Sequence, residues 1–427
     1  MDRRQFGKVA LSAAAVSTVT GESGAQTRPG ASPSDALKLS AELRPILEQS
    51  YPRFSDAEYE RRHKALAGVM EAANVDHLLI VSALNVGNAT RWVTGWPGTN
   101  QALLLFRPGE PMVMYVEYHN HVAQARLIAR GVDVRWGGDK GMVPVIEELA
   151  RRGSKRVGVM GPLSGPRWKA LDAKFPAVSL DGEYISLRIN KSEEEIAWLR
   201  VGAALSDAGM ASLVGGTRPG MTEHEIGSMI ESAYNVYGGT NVIHFLGSTP
   251  MAAPDVCVPR QFTSRRQIQP GDFVFCELSA AWWDYSGQVL RGFTVEADPT
   301  QLYRDLHATA YEAFKSITKT IRPGVHVQEL IDASAVIEKN GFTTNDDLVH
   351  GYGGGYFAPI LGSKSRPAGH PVTMTLRENM CMVVQPNVIT KDEKAGVQFG
   401  ELVRVTKTGF ESLHRTPDGL FKAGQIL

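Results

Sequence analysis

The chain has 427 residues, 43% apolar and 21% charged, with 45 Lys and Arg balanced by 45 Asp and Glu. At roughly 150 residues per domain this length predicts two or three domains, and the composition excludes a disordered or fibrous chain. A neutral balance without a basic block excludes nucleic acid or an anionic membrane as the main partner; Cys257, Cys276 and Cys381 form neither a disulfide scaffold nor a paired zinc motif.

Residues 1–25 read as an export address. Arg3-Arg4, followed by Phe6 and Lys8, leads into the apolar run 9–20 and the small residues Ser23, Gly24 and Ala25, the layout of a twin-arginine signal. A run of about 12 residues is too short for the ~20 that span a bilayer, so the expectation is a periplasmic mature protein with no membrane span. Residues 27–33 form a Pro/Gly/Ser linker. Leu37, Leu39, Leu43, Ile46 and Leu47 predict a helix over 36–49 with a kink at Pro45. A helix over 59–73 follows, then strands at 77–82, 102–106 and 112–116, the last two joined by the turn Pro108-Gly109. Strands at 132–136 and 156–160 alternate with helices around 121–130 and 143–152. The alternation predicts an α/β layer domain over 58–187, after a linker and helix at 26–57.

A second domain occupies 188–427. Ser192 and Glu195 fit a capping box opening a helix to about residue 213, and Thr222 with Glu225 repeats the device. Arg218-Pro219-Gly220-Met221 with Glu225-Ile226 returns 104 residues later as Arg322-Pro323-Gly324-Val325 with Glu329-Leu330. Gly271-Asp272 leads by six into Glu277, and Asn379-Met380 leads by six into Gln385, 108 residues apart. Two echoes at nearly one offset predict duplicated αβ halves that bring Glu277 and Gln385 to one pocket.

Residues 190–427 resemble the pita-bread family of creatinase, prolidase, Xaa-Pro aminopeptidase and methionine aminopeptidase. The matching landmarks are KSEEEIAWLR (191–200), PGDFVFCEL (270–278), HGYGGG (350–355), NMCMVVQPNV (379–388) and GVQFGELVRVT (396–406). The stretch VDHLLIVSALNVGNATRWVTG (75–95) resembles the creatinase-type N-terminal domain. The resemblance implies an α/β creatinase-like domain followed by an α+β pita-bread domain with an internal pseudo-two-fold repeat, and a homodimer.

It also implies a ligand set. The family's peptidases hold two divalent metals with two aspartates, a histidine and two glutamates. Carried over by motif, these positions fall on Glu277, Gln288, His350, Gln385 and Gly400, with Arg291 three residues after Gln288 and Glu401 beside Gly400. Four negative charges fall to one, or to two if Glu401 turns inward, and amides lack the charge that hard cations require. The expectation is therefore no metal cofactor, or a single weakly bound divalent ion. Creatinase is a metal-independent precedent within the family, but the place of its histidine base holds Arg260, within CVPRQFTSRR (257–266).

The leading functional expectation is an exported, metal-independent, creatinase-like hydrolase or lyase acting on a small polar or aromatic-bearing molecule. His350, a loop histidine among glycines, is its general acid or base, and Glu277 orients it or accepts a proton. Gln288, Arg291, Gln385, Arg260, Tyr352 and Glu401 bind substrate. The alternatives are an Xaa-Pro-type metallopeptidase with unusual ligands and a non-catalytic pita-bread binding protein. Set against these roles are plainer ones: His350 bonding its own loop, Glu277 paired with Arg291, the two glutamines as relics of a lost cage. Trp282-Trp283-Asp284-Tyr285, Tyr356 and Phe357 either stack a substrate or simply pack. The sequence leaves the orientation of His244 and His370 open. No histidine stands beside Cys257 or Cys381, which argues against a thiol nucleophile.

Overall fold

The computed structural model describes residues 37–83, 89–98, 100–138, 141–369 and 373–427. The export signal, the 27–33 linker and His370 lie outside the described residues.

The apolar runs of the first domain become the middle of its sheet. Six strands lie in the order Val132–Trp136, Met112–Val116, Ala102–Phe106, His77–Ser82, Val157–Met160, Ala177–Ser179. The three central strands predicted from sequence are buried at every position, as expected where helices cover both faces. Helix Asp56–Ala73 begins three residues before the predicted start because Ser55 caps it, accepting from the Glu58 amide at 3.1 Å.

The predicted 36–49 helix is a correction: only Arg44–Leu47 is helical, and Pro45 sits in its first turn instead of kinking a longer helix. Leu37, Leu39, Leu43 and Leu47 are buried nonetheless, packed as a strap into the core of the second domain. Their spacing satisfied burial without needing a helix.

In the second domain the capping box closes as predicted, and the helix runs Glu193–Gly216. A curled sheet follows the order Tyr356–Leu361, Val349–Tyr352, Cys381–Val384, Gly400–Val405, Tyr285–Thr294, Asp272–Trp282, Thr240–Pro250. The internal repeat is visible in its hydrogen bonds. Gly220 N donates to Ile268 O and Ile268 N to Met221 O, both at 2.8 Å. At the echoed positions Gly324 N donates to Leu376 O at 2.9 Å and Leu376 N to Val325 O at 2.8 Å. Each turn follows a long helix, Glu193–Gly216 or Gln301–Thr320, and precedes a helix with a capping box, at Thr222 or His326. The halves meet where Gly400 pairs with Leu290 and Glu401 with Val289. Among the described residues no helix is long and apolar enough to cross a membrane.

Candidate functional site

The duplicated positions converge at the seam between the halves. Glu277 lies on Asp272–Trp282, Gln288 on the adjacent strand one diagonal step away, and Gln385 just past Cys381–Val384. Gln288 Nε2 donates to Glu277 Oε1 at 2.8 Å and to Gln385 Oε1 at 2.7 Å. Gln398 Nε2 donates to Glu277 Oε2 at 3.0 Å. Gln385 Nε2 reaches Asp346 Oδ2 at 3.4 Å, and Asn387 Nδ2 reaches the same oxygen at 3.3 Å. Glu277, Gln288, Gln385, Asn387 and Gln398 are all buried.

Asp346, Asn387 and Gln398 were not singled out in the sequence. Asp346-Asp347 stand just ahead of His350, Asn387 two residues past Gln385 and Gln398 two before Gly400. All three lie in irregular segments, so the available signal was their nearness in sequence to His350, Gln385 and Gly400.

Burial pushes the Glu277 carboxyl up to about 8, and Asp346 and Asp347 add to the rise against the opposing Gln398 amide. Burial also raises Asp346. His350 is not on a loop, as expected, but on strand Val349–Tyr352 at an irregularity in its pairing with Tyr356–Leu361. It is only 1% exposed. Tyr356 stacks on the imidazole at 4.2 Å with 22° between planes, and Tyr352 meets it edge-on at 5.3 Å. Its Nδ1 lies 3.4 Å from Gly351 O. Burial brings it down to about 4, so it is neutral at pH 7.

Two residues expected to bind substrate are spent elsewhere. Arg291 is fully buried and donates to Glu401 Oε2 at 2.7 Å, Gly400 O at 2.8 Å and Pro417 O at 3.0 Å, with its guanidinium 4.4 Å from the Phe399 ring centre. Glu401 follows Gly400 on the strand and so projects to the opposite face, where Arg291 holds it; it does not turn inward. The same pairing removes the plainer reading in which Glu277 is neutralised by Arg291.

Arg260 Nε donates to Phe262 O at 3.3 Å, and its side chain packs over Gly247 beside Phe275. Tyr352 is buried against His350 instead of facing the cleft. His244 bonds the Tyr234 hydroxyl at 2.9 Å, and burial lowers it to about 4. The three cysteines are free; burial raises the thiols of Cys257, Cys276 and Cys381, against a nucleophilic role.

A cleft of about 980 Å³ opens between the domains above His350, lined by Arg91, Arg188, Trp283, Asp284, Tyr356 and Phe357 among others. Trp282 and Tyr285 are buried, while Trp283 and Asp284 form the hairpin turn at the cleft wall. Asp284 is ion-paired with Arg91 of the first domain.

The residues present do not fit a pair of divalent cations. Both Glu277 oxygens face amide donors, Glu401 is held by Arg291, and Gln288 and Gln385 bring no charge. Among the described residues no three His, Cys, Asp or Glu side chains converge as a metal-holding group. Gly400 has no room for a longer residue: a Cβ there would lie 2.1 Å from Val384 O and 2.8 Å from the Gln385 Cα. Gly400→Glu is therefore expected to destabilise the fold by about 1–3 kcal/mol through overpacking, and to add no metal affinity. Urea denaturation and isothermal titration with Mn²⁺ check both; a tight site in a stable variant would refute the steric account.

Family models match both domains: "Creatinase/Prolidase N-terminal domain" over residues 62–189 and "Metallopeptidase family M24" over residues 197–407. An uncharacterized hydrolase/peptidase, y4tL of Sinorhizobium fredii, is 25% identical over 394 residues, covering 86% of this chain and 97% of its own. The Xaa-Pro dipeptidase of Pyrococcus furiosus is 24% identical over 240 residues, covering 56% of this chain and 66% of its own. Among solved structures, the prolidase of Pyrococcus horikoshii OT3 superposes with a TM-score of 0.72 at 22% identity, covering 84% of this chain and 99% of its own. These relatives overturn the leading sequence expectation. Relatives named as Xaa-Pro dipeptidases are among the matches, which favours the peptidase alternative over a metal-independent, creatinase-like hydrolase or lyase of small molecules.

Proposed function

We propose an Xaa-Pro-directed peptidase with an unusual ligand set, from the premise that this chain belongs to the pita-bread family of hydrolases. The observation that carries the reading is the cleft between the two family domains, whose wall includes Tyr356, the ring that lies on His350. Its volume suits a short peptide, at the upper end of the range for small-ligand pockets.

The chain's own residues supply acid–base chemistry at that end. Glu277 carries its proton at neutral pH and hands it to the departing proline nitrogen as the C–N bond breaks. Neutral His350 takes a proton from the water that attacks the carbonyl, and later returns it to Glu277. Gln385, which bonds His350 and is linked to Glu277 through Gln288, holds the substrate carbonyl in place. With Glu277 and Asp346 as the carboxyls at the centre, the protein is not a standard dimetal aminopeptidase. At most one divalent ion is held there, weakly. Export to the periplasm and a homodimer complete the proposal.

The test is an assay on Ala-Pro, Phe-Pro and matched dipeptides without proline, with elemental analysis of the protein before and after dialysis against Mn²⁺. Turnover confined to the Xaa-Pro substrates, with less than one ion per chain, is expected. Two tightly held ions per chain would refute the ligand reading. No turnover with any added divalent metal would refute the peptidase. The second reading, a non-catalytic peptide binder, would then stand, favoured by amides that already face both Glu277 oxygens.

A further inference from the structure

The histidine placed at the chemistry is sealed from the cleft it must serve. His350 is 1% exposed, and the ring of Tyr356, itself part of the cleft wall, lies on its imidazole. Tyr356 lies flat on the imidazole at 4.2 Å, yet the residue is 48% exposed and forms part of the cleft wall. Its hydroxyl donates to Asp347 Oδ2. Tyr352, edge-on to the same imidazole, is buried and has no comparable freedom.

We infer that Tyr356 is a gate: its ring swings about χ1 into the cleft, releasing Asp347 and uncovering His350 for a substrate. The inference rests on the peptidase reading only in taking the cleft as the substrate's place. Three features support it. The ring has somewhere to go, because the cleft lies on its exposed side. What holds it shut is little, one stack and one hydrogen bond, whereas its backbone stays paired with Tyr352. The residues just before it, Gly353, Gly354 and Gly355, all have positive φ (97°, 75° and 153°), so no side chain of the connecting turn stands in the way of the swing. Tyr356 is thus a positioning residue, acting through His350, and closing behind a bound peptide would exclude water from the centre.

The experiment is carbethoxylation of the full chain by diethyl pyrocarbonate at neutral pH. Modification of the His350 peptide is timed by mass spectrometry against exposed His119. In the wild type His350 should react far more slowly than His119. Tyr356→Ala should raise its rate by about tenfold, and Tyr356→Phe, which keeps the stack but loses the tether to Asp347, by an intermediate amount. Far-UV circular dichroism should not move, and the thermal midpoint should shift only slightly, since Tyr356 is half exposed. Equal His350 rates in all three proteins, or a wild-type rate matching His119, would overturn the gate. A Phe-Pro arm separates the two claims. Protection of His350 in Tyr356→Ala supports a peptide in the cleft, while accelerated but unprotected reaction keeps the gate and counts against the peptidase.

Discussion

Replacing Arg62 by alanine is expected to cost about 3–5 kcal/mol, the usual penalty for stranding a buried charge network. Arg62 sits on helix Asp56–Ala73 of the first domain and is fully buried. Its Nε donates to Glu58 at 2.6 Å and one terminal nitrogen to Trp92 O at 2.8 Å. The other reaches Glu195 at 3.2 Å and the Tyr285 hydroxyl at 3.1 Å, both in the second domain. Tyr285 and the Trp92 indole donate to the same Glu195 oxygen, at 2.9 and 3.1 Å. Phe54 stacks over the guanidinium at 4.1 Å. Removing Arg62 leaves two buried carboxylates, Glu58 and Glu195, ion-paired to the half-exposed Arg61, with Lys191 acting on Glu195 from farther off. Arg62→Lys keeps the charge but cannot reach four acceptors at once, so an intermediate loss is expected. Urea denaturation followed by tryptophan emission checks this. Because Glu195 also closes the capping box at Ser192, the loss should appear in both domains together. A change below about 1 kcal/mol in Arg62→Ala would show the network to be dispensable.

The legible parts of this protein were those whose signal is local. The strands at 77–82, 102–106 and 112–116 announce themselves as uninterrupted apolar runs because both faces are buried. Ser192 and Thr222 declare helix starts because a cap and its partner lie three residues apart. The repeat exposed the pairing of Glu277 with Gln385 because equivalent positions in a duplicated fold must face a common axis. What stayed hidden depends on tertiary context. Asp346, Asn387 and Gln398 come from irregular segments with no periodicity, and they meet only because the halves close on one another. The orientation of Glu401 stayed open because adjacency to Gly400 offers a substitute ligand, whereas strand alternation sends neighbours to opposite faces. His350 misled because glycines around it read as a loop; they serve instead a tight hairpin that lays Tyr356 on the ring.

Glu277→Gln should flatten the pH dependence of stability and abolish catalysis. In the native protein the Glu277 carboxyl is raised from 4.5 to about 8, chiefly by burial. Between those values the native state keeps a proton that the unfolded chain has released. Stability therefore falls as pH rises through this window, by ~1.4 kcal/mol per unit and about 4–5 kcal/mol in all. Below pH 4.5 both states are protonated, and the penalty is absent. The geometry accommodates the proton. Gln398 Oε1 is buried without a partner, and a half-turn of that amide presents it to Glu277 Oε2 as an acceptor, the two amide orientations being nearly isosteric. A glutamine at 277 reproduces that arrangement, its N–H taking the place of the carboxyl proton. The variant should thus match the wild type near pH 5 and exceed it in urea midpoint at pH 8–9, an ordering few buried-charge substitutions give. It has no proton of suitable acidity to deliver, so hydrolysis of an Xaa-Pro substrate should fall by about 10²–10⁴. Parallel stability profiles for the two proteins from pH 5 to 9 would show that Glu277 is ionised in the native state, and the acid would have to be sought at Asp346, whose carboxyl burial also raises.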